Sequence, residues 1–185
     1  MTVALLLIAV FAVVSPGPAM WWTFIPAMVL ACVLHLMSTA VAAPDPAEVL
    51  PIYLIALAWQ FLHFAEEYLG EFHRRWPEDV FGARPMSVDF FVGGNMAAYA
   101  AFTVGALALL AGWRVPLLVV WFFAVMGVLG NAVGHLVYAI VSGDALFPGT
   151  LTSLAYWIIG PVLLVRLWRS SRGNRAHPDA ADRAL

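Results

Sequence analysis

The chain has no lysine, a single cysteine and only 11% charged residues. A soluble domain carries roughly 25% charge, so the low figure excludes an ordinary water-soluble protein and a disordered one. Cys32 stands alone in an apolar run. It can form no internal disulfide, which excludes a disulfide scaffold and a two-cysteine redox centre. Nine arginines against eleven acidic residues leave no basic excess for nucleic acid, so no nucleic-acid partner is expected. What fills the 185 residues is apolar: 63% are hydrophobic and the mean hydropathy is +0.89. The expected fold class is all-α, a polytopic transmembrane helical bundle.

A span needs roughly 20 apolar residues to cross a hydrocarbon core of about 30 Å. Five stretches qualify: residues 19–43, 50–72, 88–111, 115–141 and 150–168. Residues 1–14 form a sixth, shorter run, broken from the next by Ser15-Pro16-Gly17-Pro18. Six spans are expected, with five as the competing count. Ala40-Val41-Ala42-Ala43 has the small residues of a cleavage site, but no Lys or Arg precedes it and the apolar region exceeds a signal-peptide core. The expected organisation is an amino-terminal transmembrane hairpin (residues 1–43), a four-helix membrane core (residues 44–169) and a polar, disordered tail (residues 170–185). Arg114 and the tail arginines (Arg166, Arg169, Arg172, Arg175, Arg183) would share one side, and Arg74, Arg75 and Arg84 the other. That bias places the carboxyl terminus in the cytoplasm of a multi-pass cell-membrane protein. Tryptophans such as Trp21, Trp22, Trp113, Trp121 and Trp168 are expected as interface anchors.

Ionisable groups inside spans cost on the order of 2.5–3.5 kcal/mol each on insertion scales, so each needs a reason. His63, Glu66 and Glu67 fall on one arc of their helix at about 100° per residue, with Phe61, Leu62, Phe64 and Tyr68 away from it. Adjacent carboxylates repel unless a cation or a shared proton relieves them. Histidine and glutamate at one-turn spacing is a metal-ligand pattern of helical bundles. Asn131 and His135, four residues apart, share a face of a later span beside Gly127 and Gly134. Asn95 begins another span behind Gly93-Gly94, and Pro148-Gly149 makes a turn before Thr150 and Thr152, either of which can cap the last helix. Successive spans reverse direction, so all these groups fall in one leaflet. A single polar chamber between four helices is expected.

The ordered set His63-x-x-Glu66-Glu67-Tyr68, Trp76, Asn95, Asn131-x-x-x-His135 and Pro148-Gly149-x-x-Thr152 resembles the HXXEE-domain membrane proteins over roughly residues 50–168. The resemblance implies a small multi-span membrane protein and no established activity.

Three functions fit these residues. In a membrane metalloenzyme, His63, Glu66, Glu67 and His135 would bind a divalent metal, Zn, Fe or Mn. Glu66, Glu67, Asn95 and Asn131 would do catalytic work on a lipid or another apolar substrate drawn from the surrounding membrane lipids. In a metal-free hydrolase, one glutamate would be the general base, as in the glutamate-dependent intramembrane proteases of the CAAX type, which the pair resembles loosely. A small permease or assembly subunit would use the paired carboxylates for cation coupling. The sequence sets no oligomeric state. His35 and His73 are expected to lie outside the site, and Glu71 to pair with an arginine that follows it.

Overall fold

The computed structural model describes residues 17–176, and every regular element among them is helical. Five helices are long and apolar enough to cross a membrane. They are α1 (Pro18–Met37), α2 (Pro46–Leu69), α4 (Val88–Ala111), α5 (Leu117–Ser142) and α6 (Thr150–Ala176). A short helix, α3 (Phe72–Arg75), follows α2 and runs into a π-helical turn (Trp76–Val80). The sixth run expected over residues 1–14 lies outside the described residues. Helix α6 continues to Ala176, past Ser170, where the polar tail was expected to begin.

Local chemistry sets the boundaries. Pro46 opens α2 at a position where a missing N–H costs nothing, and Asp45 accepts from Ala47 N at 2.8 Å as its cap. Ser87 caps α4 through Phe90 N at 3.2 Å, leaving Asp89 as the first-turn acid. Gly112 and Gly143, both left-handed, end α4 and α5.

Helix α5 is the centre of the bundle. Its apolar window is 56% buried, against 33% for α2, α4 and α6 and 11% for α1. Helices α1, α4 and α6 all pack against it, and α2 pairs most extensively with α6. The main core contains Tyr53, Phe102, Trp121, Phe123, Tyr156 and Leu163. Trp121, expected at the interface, is only 1% exposed and donates to Thr39 Oγ1 at 3.1 Å. The cause is packing: Val120, Trp121, Phe122, Phe123, Ala124 and Val125 are all buried, so this stretch of the central helix leaves no exposed side. Residues Phe123–Gly130 of α5 are π-helical. This wider turn shifts the register of everything after it, including Asn131 and His135.

Candidate metal centre

The centre is built from α2 and α5. His63 and Glu67 are one turn apart on the buried face of α2, and His135 comes from the segment of α5 that follows the π-helical turn. Both imidazoles are fully buried and Glu67 is 6% exposed. One carboxylate oxygen, Glu67 Oε1, faces His63 Nε2 at 3.5 Å and His135 Nε2 at 3.2 Å. Neither pair meets hydrogen-bond geometry, so both Nε2 atoms are buried without a hydrogen bond. The two rings meet edge to face at 4.7 Å between centroids. Ligand atoms of His63, Glu67 and His135 all lie within 4.8 Å of one another, close enough to hold one metal ion.

Glu66, expected to be a ligand beside Glu67, is placed elsewhere. Its Oε1 accepts from Leu151 N at 3.0 Å and its Oε2 from Thr152 N at 2.8 Å. The Thr152 hydroxyl donates to the same Oε2. Glu66 therefore caps α6 from another helix, doing what Thr150 or Thr152 was expected to do. The physical reason is helical angle: Glu66 lies about 60° round the helix from His63, on the side away from Glu67, and that side faces the start of α6. Thr152 Oγ1 also lies 2.7 Å from His63 Nδ1.

Close approach of backbones makes this meeting possible. A Cβ on Gly70 would come 2.6 Å from Pro148 Cβ. Gly149 has φ +88, and a Cβ there would overlap Cε1 of His135 and come 2.6 Å from its Nδ1. The Pro-Gly turn is thus moulded onto the imidazole.

A cavity of about 500 Å³ lies beside the centre. Glu67, Gln60, Asn95, Asn131 and Tyr138 line its polar part, and α1, α4 and α5 supply an apolar remainder that includes Phe24, Met28, Phe102 and Leu118. Asn95 and Asn131 line the cavity together with Glu67, whereas His63, Glu66 and His135 are not among its lining residues. Each donates its Nδ2 to its own helix, to Phe91 O at 3.0 Å and Gly127 O at 3.1 Å. Aromatic residues cover the centre at this end of the bundle: Phe72 lies 5.2 Å from the His135 ring and stacks on Trp76 at 5.3 Å.

Beyond this roof the charges pair with one another. Arg74 bonds Glu71 Oε2 at 2.7 Å, and Arg75 bridges Asp79 at 3.1 Å and Asp144 at 3.0 Å. The hydrogen bond from Arg74 holds the Glu71 carboxyl below its ordinary range. The Leu146 backbone N–H, followed by Arg75, does the same for Asp144. His73, expected outside the site, is half-buried against Phe91 at 5.8 Å and takes no part in the centre. His35 bonds Thr39 Oγ1 at 2.7 Å at the other end of the bundle.

Sequence reasoning missed Gln60, Tyr99 and Tyr156. Gln60 Oε1 accepts from Tyr156 OH at 2.6 Å, and its backbone carbonyl accepts from Tyr99 OH at 3.1 Å. The signal was present for Gln60, which stands three residues before His63 and seven before Glu67, on the same helical face. Tyr156 and Tyr99 carried none, because an aromatic in a span is ordinary.

No curated protein and no solved structure matches the chain. A family model described as a protein of unknown function with HXXEE motif matches residues 54–164, a stretch that holds His63, Glu66, Glu67, Asn95, Asn131, His135 and Thr152, and the chain belongs to that family.

Proposed function

We propose that this protein is a membrane metalloenzyme in which His63, Glu67 and His135 hold one divalent cation beside an apolar substrate cavity. One observation carries the reading: two buried imidazole nitrogens without hydrogen bonds face the same carboxylate oxygen. Leaving such atoms unsatisfied costs about 1–3 kcal/mol each. A cation between them removes that cost. Nitrogen and carboxylate ligands bind zinc at about 2.0–2.2 Å, which in a tetrahedron separates ligand atoms by about 3.3–3.6 Å. The spacing of 3.5 Å falls on that edge and that of 3.2 Å lies about 0.1 Å short of it. Two histidines and one glutamate leave a coordination position open, the arrangement of catalytic rather than structural sites. Such a metal polarises a carbonyl or phosphoryl oxygen, or lowers the pKa of bound water. The donor set suits Zn, Fe or Mn alike.

The cavity supports a lipid or another apolar molecule as substrate, with membrane lipids as its source. Glu67 and the amides of Asn95 and Asn131 stand at its polar part, where they can orient a reacting group. The placement of Glu66 weighs against a metal-free hydrolase working through the glutamate pair, since both of its oxygens are committed to α6. The arginine bias puts the carboxyl terminus in the cytoplasm.

Metal analysis of protein purified in detergent and supplemented with Zn, Fe or Mn tests the reading. One equivalent is expected in wild type, and in His35→Ala and His73→Ala. Loss is expected in His63→Ala, His135→Ala and Glu67→Gln. Wild type without stoichiometric metal would overturn the proposal.

A further inference from the structure

We propose that Glu66 and Thr152 are a positioning pair that fixes which nitrogen of His63 is offered to the centre, so that seating α6 prepares the metal site. The inference rests on the metal reading for its effect on affinity, and on hydrogen-bond direction alone for its effect on His63.

A threonine hydroxyl has one proton to donate. The Thr152 hydroxyl gives it to Glu66 Oε2, a carboxylate that already accepts two backbone N–H groups, Leu151 N and Thr152 N. Toward His63 the hydroxyl oxygen is therefore an acceptor. His63 Nδ1, at 2.7 Å, must be the N–H donor. In a neutral imidazole the other nitrogen then carries the lone pair, and that nitrogen, Nε2, faces Glu67 Oε1 at 3.5 Å. Two acceptors directed at one another is the state a cation relieves. Without the hydroxyl, His63 would be free to protonate Nε2 and bond Glu67 directly, which closes the centre.

The pair has a second consequence. Glu66 bonds to the first turn of α6, and Trp59 Nε1 also donates to Thr152 O at 2.8 Å. Two side chains of α2 thus hold the same turn. The hydroxyl that orients His63 arrives only when α6 is docked, so bundle assembly and ligand tautomer are one event. Outer contacts of this kind, a carboxylate acting through an intermediary on a ligating histidine, typically change metal affinity 10–100-fold when removed.

The experiment separates docking from positioning. Thr152→Val deletes the hydroxyl and keeps the backbone N–H that Glu66 holds. Thr152→Ser restores the hydroxyl. Histidine side chains labelled with ¹⁵N are observed in the metal-free full-length protein in detergent, with the His63 signals assigned by their loss in His63→Ala. Zinc affinity is measured on the same samples. In wild type and Thr152→Ser, His63 is expected to carry its proton on Nδ1. In Thr152→Val it shifts toward the Nε2-protonated form, and zinc Kd rises about 10–100-fold. If Thr152→Val does not fold, Thr152→Ala, which also keeps the backbone N–H, takes its place with the same expected readings. A valine or alanine variant with the wild-type tautomer and wild-type zinc affinity would overturn the inference and leave Glu66 as a helix cap only. Failure of wild type to bind zinc, with the tautomer contrast intact, would overturn the metal reading while upholding the positioning of His63.

Discussion

The two ends of the bundle both bury polar side chains, and they handle them oppositely. Away from the centre, Ser38, Thr39, Ser170 and Ser171 are buried, and each has a partner. Thr39 Oγ1 accepts from Trp121 Nε1 and shares a hydrogen bond with His35 Nδ1. Ser170 Oγ accepts from Asp45 N at 2.7 Å, and Ser171 donates to Leu167 O at 2.8 Å. At the other end lie all six buried side-chain atoms that lack a hydrogen bond among the described residues, on His63, His73, Trp76, His135 and Thr150. A polar group kept for the fold is satisfied by the fold. Of these six, the Nε2 atoms of His63 and His135 are the two set against Glu67. On this comparison His35, whose Nδ1 is bonded to Thr39, belongs with the fold, and His63 and His135 are the histidines that the proposed cation would satisfy.

The largest expected effect comes from reversing the charge of the centre. Glu67→Lys puts an ammonium among two imidazoles with no counter-charge, so the variant is expected not to fold, reading as aggregate on size exclusion in detergent. Glu67→Leu replaces the carboxylate with an apolar group and should remain folded while losing metal and activity, because the two imidazoles it leaves behind can stay neutral and no unpaired charge is buried. A leucine variant that fails to fold would erase the distinction between the two ends of the bundle.

Next comes Gly149→Ala. Its left-handed φ costs a residue with a Cβ about 1–2 kcal/mol, and the overlap with His135 adds to that. A loss of more than about 2 kcal/mol is expected in thermal unfolding, together with weakened metal binding because the His135 ring must shift.

Metal addition sharpens the contrast. At a free concentration 100 times Kd, zinc should stabilise the folded protein by about 2.7 kcal/mol. The rise in Tm should persist in His35→Ala, which by itself loses about 1 kcal/mol through its broken bond to Thr39. It should vanish in Glu67→Gln.

The smallest effect lies at the surface. The Asp144 carboxyl titrates below its ordinary range, so its pairing with Arg75 is complete at neutral pH. That stabilisation is lost only as pH falls from the ordinary carboxylate range through the lowered value. Asp144→Asn should flatten this acid limb of the Tm profile slightly and leave the neutral-pH Tm nearly unchanged.

Much of this was legible in the residues. Hydropathy marks the five described spans because an apolar solvent demands apolar length. His63 and Glu67 can be read as neighbours because four residues on one helix make one turn. The reversal of spans places Asn95 and Asn131 at the level of Glu67. Trp121 misled because the same residue type serves at an interface and in a core, and only the central position of α5 decides between them.

By itself, then, the sequence determines what is set by local periodicity and by solvent: helices, their lengths, and the shared face of His63 and Glu67 on α2. The tertiary structure decides what depends on neighbours distant in the chain. It turns His135 toward Glu67 after a π-helical stretch that shifts the α-helical register. It also divides the two adjacent glutamates, sending Glu67 inward to the imidazoles and Glu66 to the first turn of α6. Adjacent residues on a helix point about 100° apart, so which of the two meets which neighbour is settled only by the helices packed on either side.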